Sequence, residues 1–406
     1  MGLEDLKNNL LLLNTQDLGD NFFLGMSSSF ENSININEDK NFFWNRNHHF
    51  PKKQDSFYKT ELIKYKQDIE LIRQTGILNF RFSLSWSRIL PEGIGKVNNE
   101  AIKFYQDILD ICIENGVEPF VTLYDSNLPE EIKKNGGWSN REILNWFENY
   151  VDICINAFKE KVTYWIVFNE PSVFTGASNF LQIYPSGKNN INKFLSALHH
   201  SLLCQSICFK KIKQTIHDAQ VGTFFSCSYI IPMTYSEKDL KATERIDALL
   251  NRIFIEPSLG LGYPIKTLPF LKSISKYFIS GDDDLIKVDF DFIGLQNCTR
   301  EIVCHNSIIP YLNAKILQYD KIRIKKNHLG PQIYHELNYL IIKKYSEYEG
   351  VKKIFIDEIL TSLNEQNELN STITTKNTYT IESFLQQILI ANQSGGKVNG
   401  YFVSTL

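Results

Sequence analysis

No window of about 18 consecutive apolar residues occurs in the 406-residue sequence, so it offers no membrane-spanning helix. Neither sign of charge dominates. Lys and Arg number 43 against 46 Asp and Glu, a formal charge of -3, which argues against binding nucleic acid through a basic field. The seven cysteines (Cys112, Cys154, Cys204, Cys208, Cys227, Cys298 and Cys304) are odd in number, scattered and without a CxxC pair. They read as reduced packing residues, and Cys204 and Cys208, one turn apart behind His199 and His200, read as a buried helical face rather than a metal site. No glycine-rich phosphate loop follows a strand, so no nucleotide or other cofactor is expected. The apolar run 10–13 is shorter than the ~7 to 15 residues of a secretion signal core, and it follows Glu4 and Asp5, which points to a cytoplasmic protein.

What is present is alternation. Eight short apolar or alternating segments read as strands: 22–30, 78–86, 118–126, 163–170, 221–229, 290–298, 353–360 and 398–406. Amphipathic stretches of helical period separate most of them. One is expected to bury Ile63, Tyr65, Ile69 and Ile72; another Ile102, Tyr105, Ile108, Leu109 and Ile113, ending at Gly116; a third opens on the capping pair Ser139 and Glu142. Strand, helix, strand repeated implies parallel pairing, and eight such strands imply a closed single-domain (β/α)8 TIM barrel spanning residues 21–406. The sequence stops in the eighth strand, so the eighth covering helix is expected to be missing. Residues 1–20 form an N-terminal extension, whose Leu3, Leu6, Leu10 and Leu13 at helical spacing are expected to cover that seam. The irregular stretches 32–56 and 173–190 follow strands one and four, on the face where such barrels hold their active sites.

Two carboxylates stand where chemistry is done in this architecture. Glu170 ends the fourth strand and Glu358 the seventh, and these strands oppose one another across a barrel. A pair of carboxyl groups ~5 to 5.5 Å apart is what a retaining glycosidase requires, one protonating the leaving oxygen and the other attacking the anomeric carbon.

Several longer motifs resemble glycoside hydrolase family 1, the β-glucosidase and 6-phospho-β-glucosidase family. They are Arg81-Phe-Ser-Leu-Ser-Trp86-Ser-Arg88-Ile-Leu-Pro91, Gly116-Val-Glu-Pro-Phe-Val-Thr-Leu-Tyr124, Gly137-Trp138, Tyr164-Trp165-Ile-Val-Phe-Asn169-Glu170-Pro171 and Asp291-Phe-Ile-Gly294. The resemblance implies the same barrel, with Glu170 as acid/base, Glu358 as nucleophile and Arg81 as the cation holding Glu358 ionised. It further implies that Asn169 binds the sugar 2-hydroxyl.

The departures from that family lie in the sugar-binding shell. Asp125 takes the place of the family's histidine and Glu31 that of its first-strand glutamine. Gln296-Asn297-Cys298 replaces Asn-Tyr-Tyr, removing the tyrosine that contacts the nucleophile in the family. Asp357-Glu358-Ile359-Leu360 replaces Thr-Glu-Asn-Gly, and Ser404 replaces a tryptophan. Extra acids at Glu31 and Asp125 imply a small-molecule glycoside or related ligand that carries a positive group. Three functions fit: a retaining β-glycosidase or transglycosidase acting on a non-standard glycone, an inactive binding protein, or a barrel recruited to other acid/base chemistry.

Overall fold

The computed structural model describes residues 15–19, 21–28, 54–176, 191–317, 336–360 and 370–405. All eight expected strands are present: β1 (Phe23–Ser28), β2 (Asn79–Ser83), β3 (Glu118–Tyr124), β4 (Tyr164–Asn169), β5 (Gln220–Pro232), β6 (Phe292–His305), β8 (Ile354–Leu360) and β9 (Val398–Thr405). A further short strand, β7 (Ala314–Ile316), pairs antiparallel with the end of β6 and stands outside the barrel. The barrel strands run in the order β5-β4-β3-β2-β1-β9-β8-β6, and parallel pairing of β5 with β6 closes the cylinder. Closure leaves no unpaired edge.

Along each strand alternate residues face the lumen. Inward positions Phe120, Ile166, Phe224, Phe292, Phe355 and Phe402 form an apolar cluster of their own, with Phe23 and Tyr164 packed against it. Rings of that size fit because glycine sits beside them. Gly294 is paired with Phe224 on one side and Phe355 on the other, and a Cβ on it would lie 2.1 Å from the Phe224 ring.

The longer helices are α1 (Gln54–Gln74), α2 (Asn99–Glu114), α3 (Ile143–Phe158), α4 (Ile191–Thr215), α5 (Glu237–Asp247), α6 (Glu336–Ser346) and α7 (Asn370–Gln393). α2 buries Ala101, Phe104, Tyr105, Ile108, Leu109 and Cys112 against the strands and ends at Gly116, whose φ is 67°. Two residues expected on buried faces, Ile63 and Ile113, are exposed, because each falls to the side of the stripe its neighbours form. α3 starts at Ile143 without the expected capping box. Asn140 Oδ1 accepts from the Glu142 amide at 3.0 Å, while Ser139 donates instead to the Lys193 carbonyl at 3.1 Å.

Among the described residues no helix is long and apolar enough to cross a membrane, and no group of three or more His, Cys, Asp or Glu is placed to hold a metal. Cys112, Cys154, Cys204, Cys208, Cys227 and Cys304 are free, and all but Cys304 are buried. His199 is buried in α4, with Asp282 at 2.8 Å and Tyr263 at 3.1 Å, and its neighbour His200 lies 3.0 Å from the Trp138 carbonyl oxygen. The helix expected at Leu3 to Leu13 lies outside the described residues, as do Glu31 and most of the two long loops.

Candidate active site

Above the phenylalanine layer the inward register turns polar. Arg81 of β2 donates from Nη1 to Asp357 Oδ2 on β8 and from Nη2 to Asn169 Oδ1 on β4. Its Nε lies 3.3 Å from Thr122 Oγ1, and its guanidinium sits 4.0 Å over the Phe224 ring. Asp357 also accepts from Ser27 at 2.7 Å and Ser404 at 3.4 Å. Asn169 Nδ2 donates to Asp125 Oδ1 at 3.1 Å, and Ser83 donates to the other Asp125 oxygen at 3.4 Å. Arg81 is 4 % exposed and Asp357 1 %. Charges this deeply buried are tolerable only when paired and further hydrogen-bonded, and both conditions hold here.

Glu170 follows directly. The β4 to β5 register shifts between Ile166 and Asn169, an irregularity that re-aims the strand end and brings Asn169 into the lumen. Glu170 then adopts φ 48°, ψ 63°, a left-handed conformation that costs a non-glycine residue ~1–3 kcal/mol. Its amide donates to the Phe224 carbonyl at 2.8 Å, and Pro171 begins the short helix Pro171–Phe174, so the strained turn is held from both sides. Ser226 of β5 donates to Glu170 Oε1 at 2.7 Å.

The expected contact between Arg81 and Glu358 is not formed, and the reason is strand parity. Phe355 fills the lumen layer, which makes Asp357, two residues on, the inward carboxylate and turns Glu358 outward with Ile356. Arg81 therefore meets Asp357. Glu358 Oε2 accepts from the Tyr401 hydroxyl at 2.6 Å, and Tyr401 in turn stacks on Phe384 of α7 on the outside of the barrel. Burial pushes the Glu358 carboxyl up to about 8, against the pull of the Tyr401 hydrogen bond and with a smaller push from the Asp357 charge. At neutral pH this side chain is mostly uncharged.

Gln296 of β6 sits beside Ser226 and Asp357 in the ladder, buried, and its Oε1 accepts no hydrogen bond among the described residues. Of the residues singled out in the sequence, Arg81, Asn169, Asp125, Glu170 and Gln296 are thus gathered at the lumen mouth, Glu358 is not, and Glu31 lies outside the described residues. Asp357, Ser226 and Tyr401 were missed. Counting by twos from Phe355 would have flagged Asp357.

Chemically, the mouth offers the Glu170 carboxyl group on a rigid turn, the Asn169 amide, a Gln296 acceptor that no described residue uses and the guanidinium-paired carboxylate of Asp357. That set can hold a polyhydroxylated ligand and move a proton at its edge.

Comparison with known proteins agrees with this architecture. Glycosyl hydrolase family 1 matches over residues 37–406. Beta-glucosidase A of Thermotoga maritima is 30 % identical over 345 residues, covering 84 % of this chain and 76 % of that protein. The 6-phospho-beta-glucosidase GmuD of Bacillus subtilis is 29 % identical over 355 residues, 84 % of this chain and 76 % of its own. Among solved structures, the family 1 β-glucosidase of Thermotoga maritima superposes with a TM-score of 0.77 at 27 % identity, over 95 % of this chain and 88 % of that one. The same holds for its complex with deoxynojirimycin. The chain belongs to glycosyl hydrolase family 1.

Proposed function

We propose that the chain is a retaining β-glycosidase or transglycosidase acting on a glycoside with a non-standard glycone, with Glu170 as its acid/base. The observation that carries this reading is the strained Asn169-Glu170-Pro171 turn, which holds Glu170 against Ser226 at the mouth while Asn169 stays tied to Arg81. In the first step Glu170 gives its proton to the leaving oxygen as a β8 carboxylate attacks the anomeric carbon; in the second it takes a proton from the incoming water or alcohol. The family resemblance names Glu358 for the attack, which requires that side chain to exchange its Tyr401 hydrogen bond for the lumen. The second N–H of Asn169 Nδ2 serves a sugar hydroxyl, and the unused Gln296 Oε1 invites a donor on the same ligand. The relatives named above support the β-glycosidase class, one of them a 6-phospho-beta-glucosidase.

The test is hydrolysis of a panel of aryl β-glycosides by the chain and by Glu170→Gln, with product configuration followed by NMR. Retention, and a loss of ~10²- to 10⁴-fold in Glu170→Gln for poor leaving groups, is expected. Equal rates in the two proteins would overturn the reading.

One observation favours a second reading, ligand binding without turnover: Glu358 is turned to Tyr401 and held neutral. Tight binding of a sugar analogue with no turnover across the panel would select it.

A further inference from the structure

We propose that Ser226 is a positioning residue that keeps the transferable proton of Glu170 on Oε2, with Ser172 behind it fixing the direction in which Ser226 donates. The inference rests on the glycosidase reading and deepens it. Two contacts point to it. Ser226 Oγ on β5 donates to Glu170 Oε1 at 2.7 Å. Ser172 Oγ, buried in the short helix Pro171–Phe174, lies 3.1 Å from Ser226 Oγ. A hydroxyl has a single hydrogen to give. Ser226 gives its own to Glu170, so Ser172 is the donor in the second contact, and the two hydroxyls form a one-way chain that ends on Oε1. Each link polarises the next.

A protonated carboxyl group accepts best at its carbonyl oxygen, so a donor fixed on Oε1 selects the form whose hydrogen sits on Oε2. When that proton passes to the leaving oxygen, Glu170 becomes a carboxylate. The Ser226 hydrogen bond is then charge-assisted and strengthens as the charge appears. An interaction that tightens on the way to the transition state lowers the barrier, whereas one equal in both states does not.

Ser226 is itself held in place from behind. The β5 to β6 register shifts between Ser226 and Ser228, and just past the shift Asn251 takes both backbone groups of Ser228. Its Oδ1 accepts from the Ser228 amide at 2.9 Å and its Nδ2 donates to the Ser228 carbonyl at 2.8 Å. Asn251 is buried on a π-helical turn, Ala248–Arg252, and its Nδ2 also reaches Asp247 Oδ1 at 2.7 Å. A strand irregularity anchored twice by one side chain gives the Ser226 hydroxyl a fixed address.

The experiment measures kcat/KM for two aryl β-glycosides of a glycone that the panel shows to be turned over, one with a dinitrophenyl and one with a phenyl leaving group. The first group departs without a proton; the second needs one. The ratio of the two rates within one sample is untouched by any loss of folded protein, so a purely structural role for Ser226 does not move it. Ser226→Ala should lower the phenyl-to-dinitrophenyl ratio roughly ten- to a hundredfold and Ser172→Ala roughly two- to fivefold, while Ser226→Thr, which keeps the hydroxyl, should restore it to within about threefold. A ratio unchanged in either alanine variant, or one that the threonine variant fails to restore, overturns the inference and leaves the glycosidase reading standing as long as Glu170→Gln lowers the ratio. A ratio that Glu170→Gln also leaves unchanged removes the glycosidase reading, and the inference with it.

Discussion

Tyr401 hands its hydroxyl hydrogen to Glu358 across 2.6 Å, bridging β9 and β8 on the outer wall of the barrel. An acid in that position is a pH-dependent element of stability. Glu358 ionises near 4.5 when unfolded and at about 8 when folded, so the native state binds the extra proton between those values. Its contribution is present in full below about 4.5, declines as pH rises, and is gone above about 8. Urea midpoints should therefore show Glu358→Gln gaining on the unmodified chain between pH 5 and 8.5, by about 2–3 kcal/mol once partial exposure is allowed for. A gap between the two proteins that stays constant with pH would contradict the assignment.

Arg81 and Asp357 form the buried pair on which the polar layer hangs. Removing one member leaves an uncompensated charge, and Arg81→Met should cost ~3–5 kcal/mol by chemical denaturation. The double change Arg81→Met with Asp357→Leu should recover most of that loss, because two apolar side chains in the same space carry no unpaired charge. A double variant as unstable as the single would mean that the pair's value lies in its neighbours.

Gly294 lies against the Phe224 ring so closely that even a methyl group is excluded. Gly294→Ala should lower stability by at least ~1–3 kcal/mol, with Phe224→Leu relieving part of the cost when combined. Thermal melts of the three variants check this, and full additivity would place the strain elsewhere.

Asp125 accepts from Asn169 and Ser83 at the mouth, which makes it the place to test the proposal of a ligand that carries a positive group. Asp125→Asn should weaken binding of an amine-bearing sugar analogue by about tenfold or more, with a smaller effect on the neutral analogue, measured by calorimetry. Equal losses for both would assign Asp125 a purely geometric part.

The eight strands were legible because each is a short apolar or alternating run bounded by helical stretches, and β3, β8 and β9 begin within one residue of where the pattern puts them. Glu170 was legible too, since a lone acid after Trp165-Ile-Val-Phe has nowhere to go but the end of its strand. The partner of Arg81 was not legible because Asp357 and Glu358 are adjacent acids, and a period of two admits only one of them to the lumen. Which one depends on Phe355 being inside the barrel, a tertiary fact that composition does not reveal. The register shift before Asn169 and the cap supplied by Asn140 rather than Ser139 were hidden for a similar reason: each depends on a partner distant in sequence or on the angle at which chain enters an element.

The aromatic floor beneath Arg81 makes the cylinder a cup with one opening rather than a pipe. Nothing threads such a vessel: whatever meets Arg81 and its polar neighbours arrives from the end of the cylinder where the strands finish, and departs by that same end.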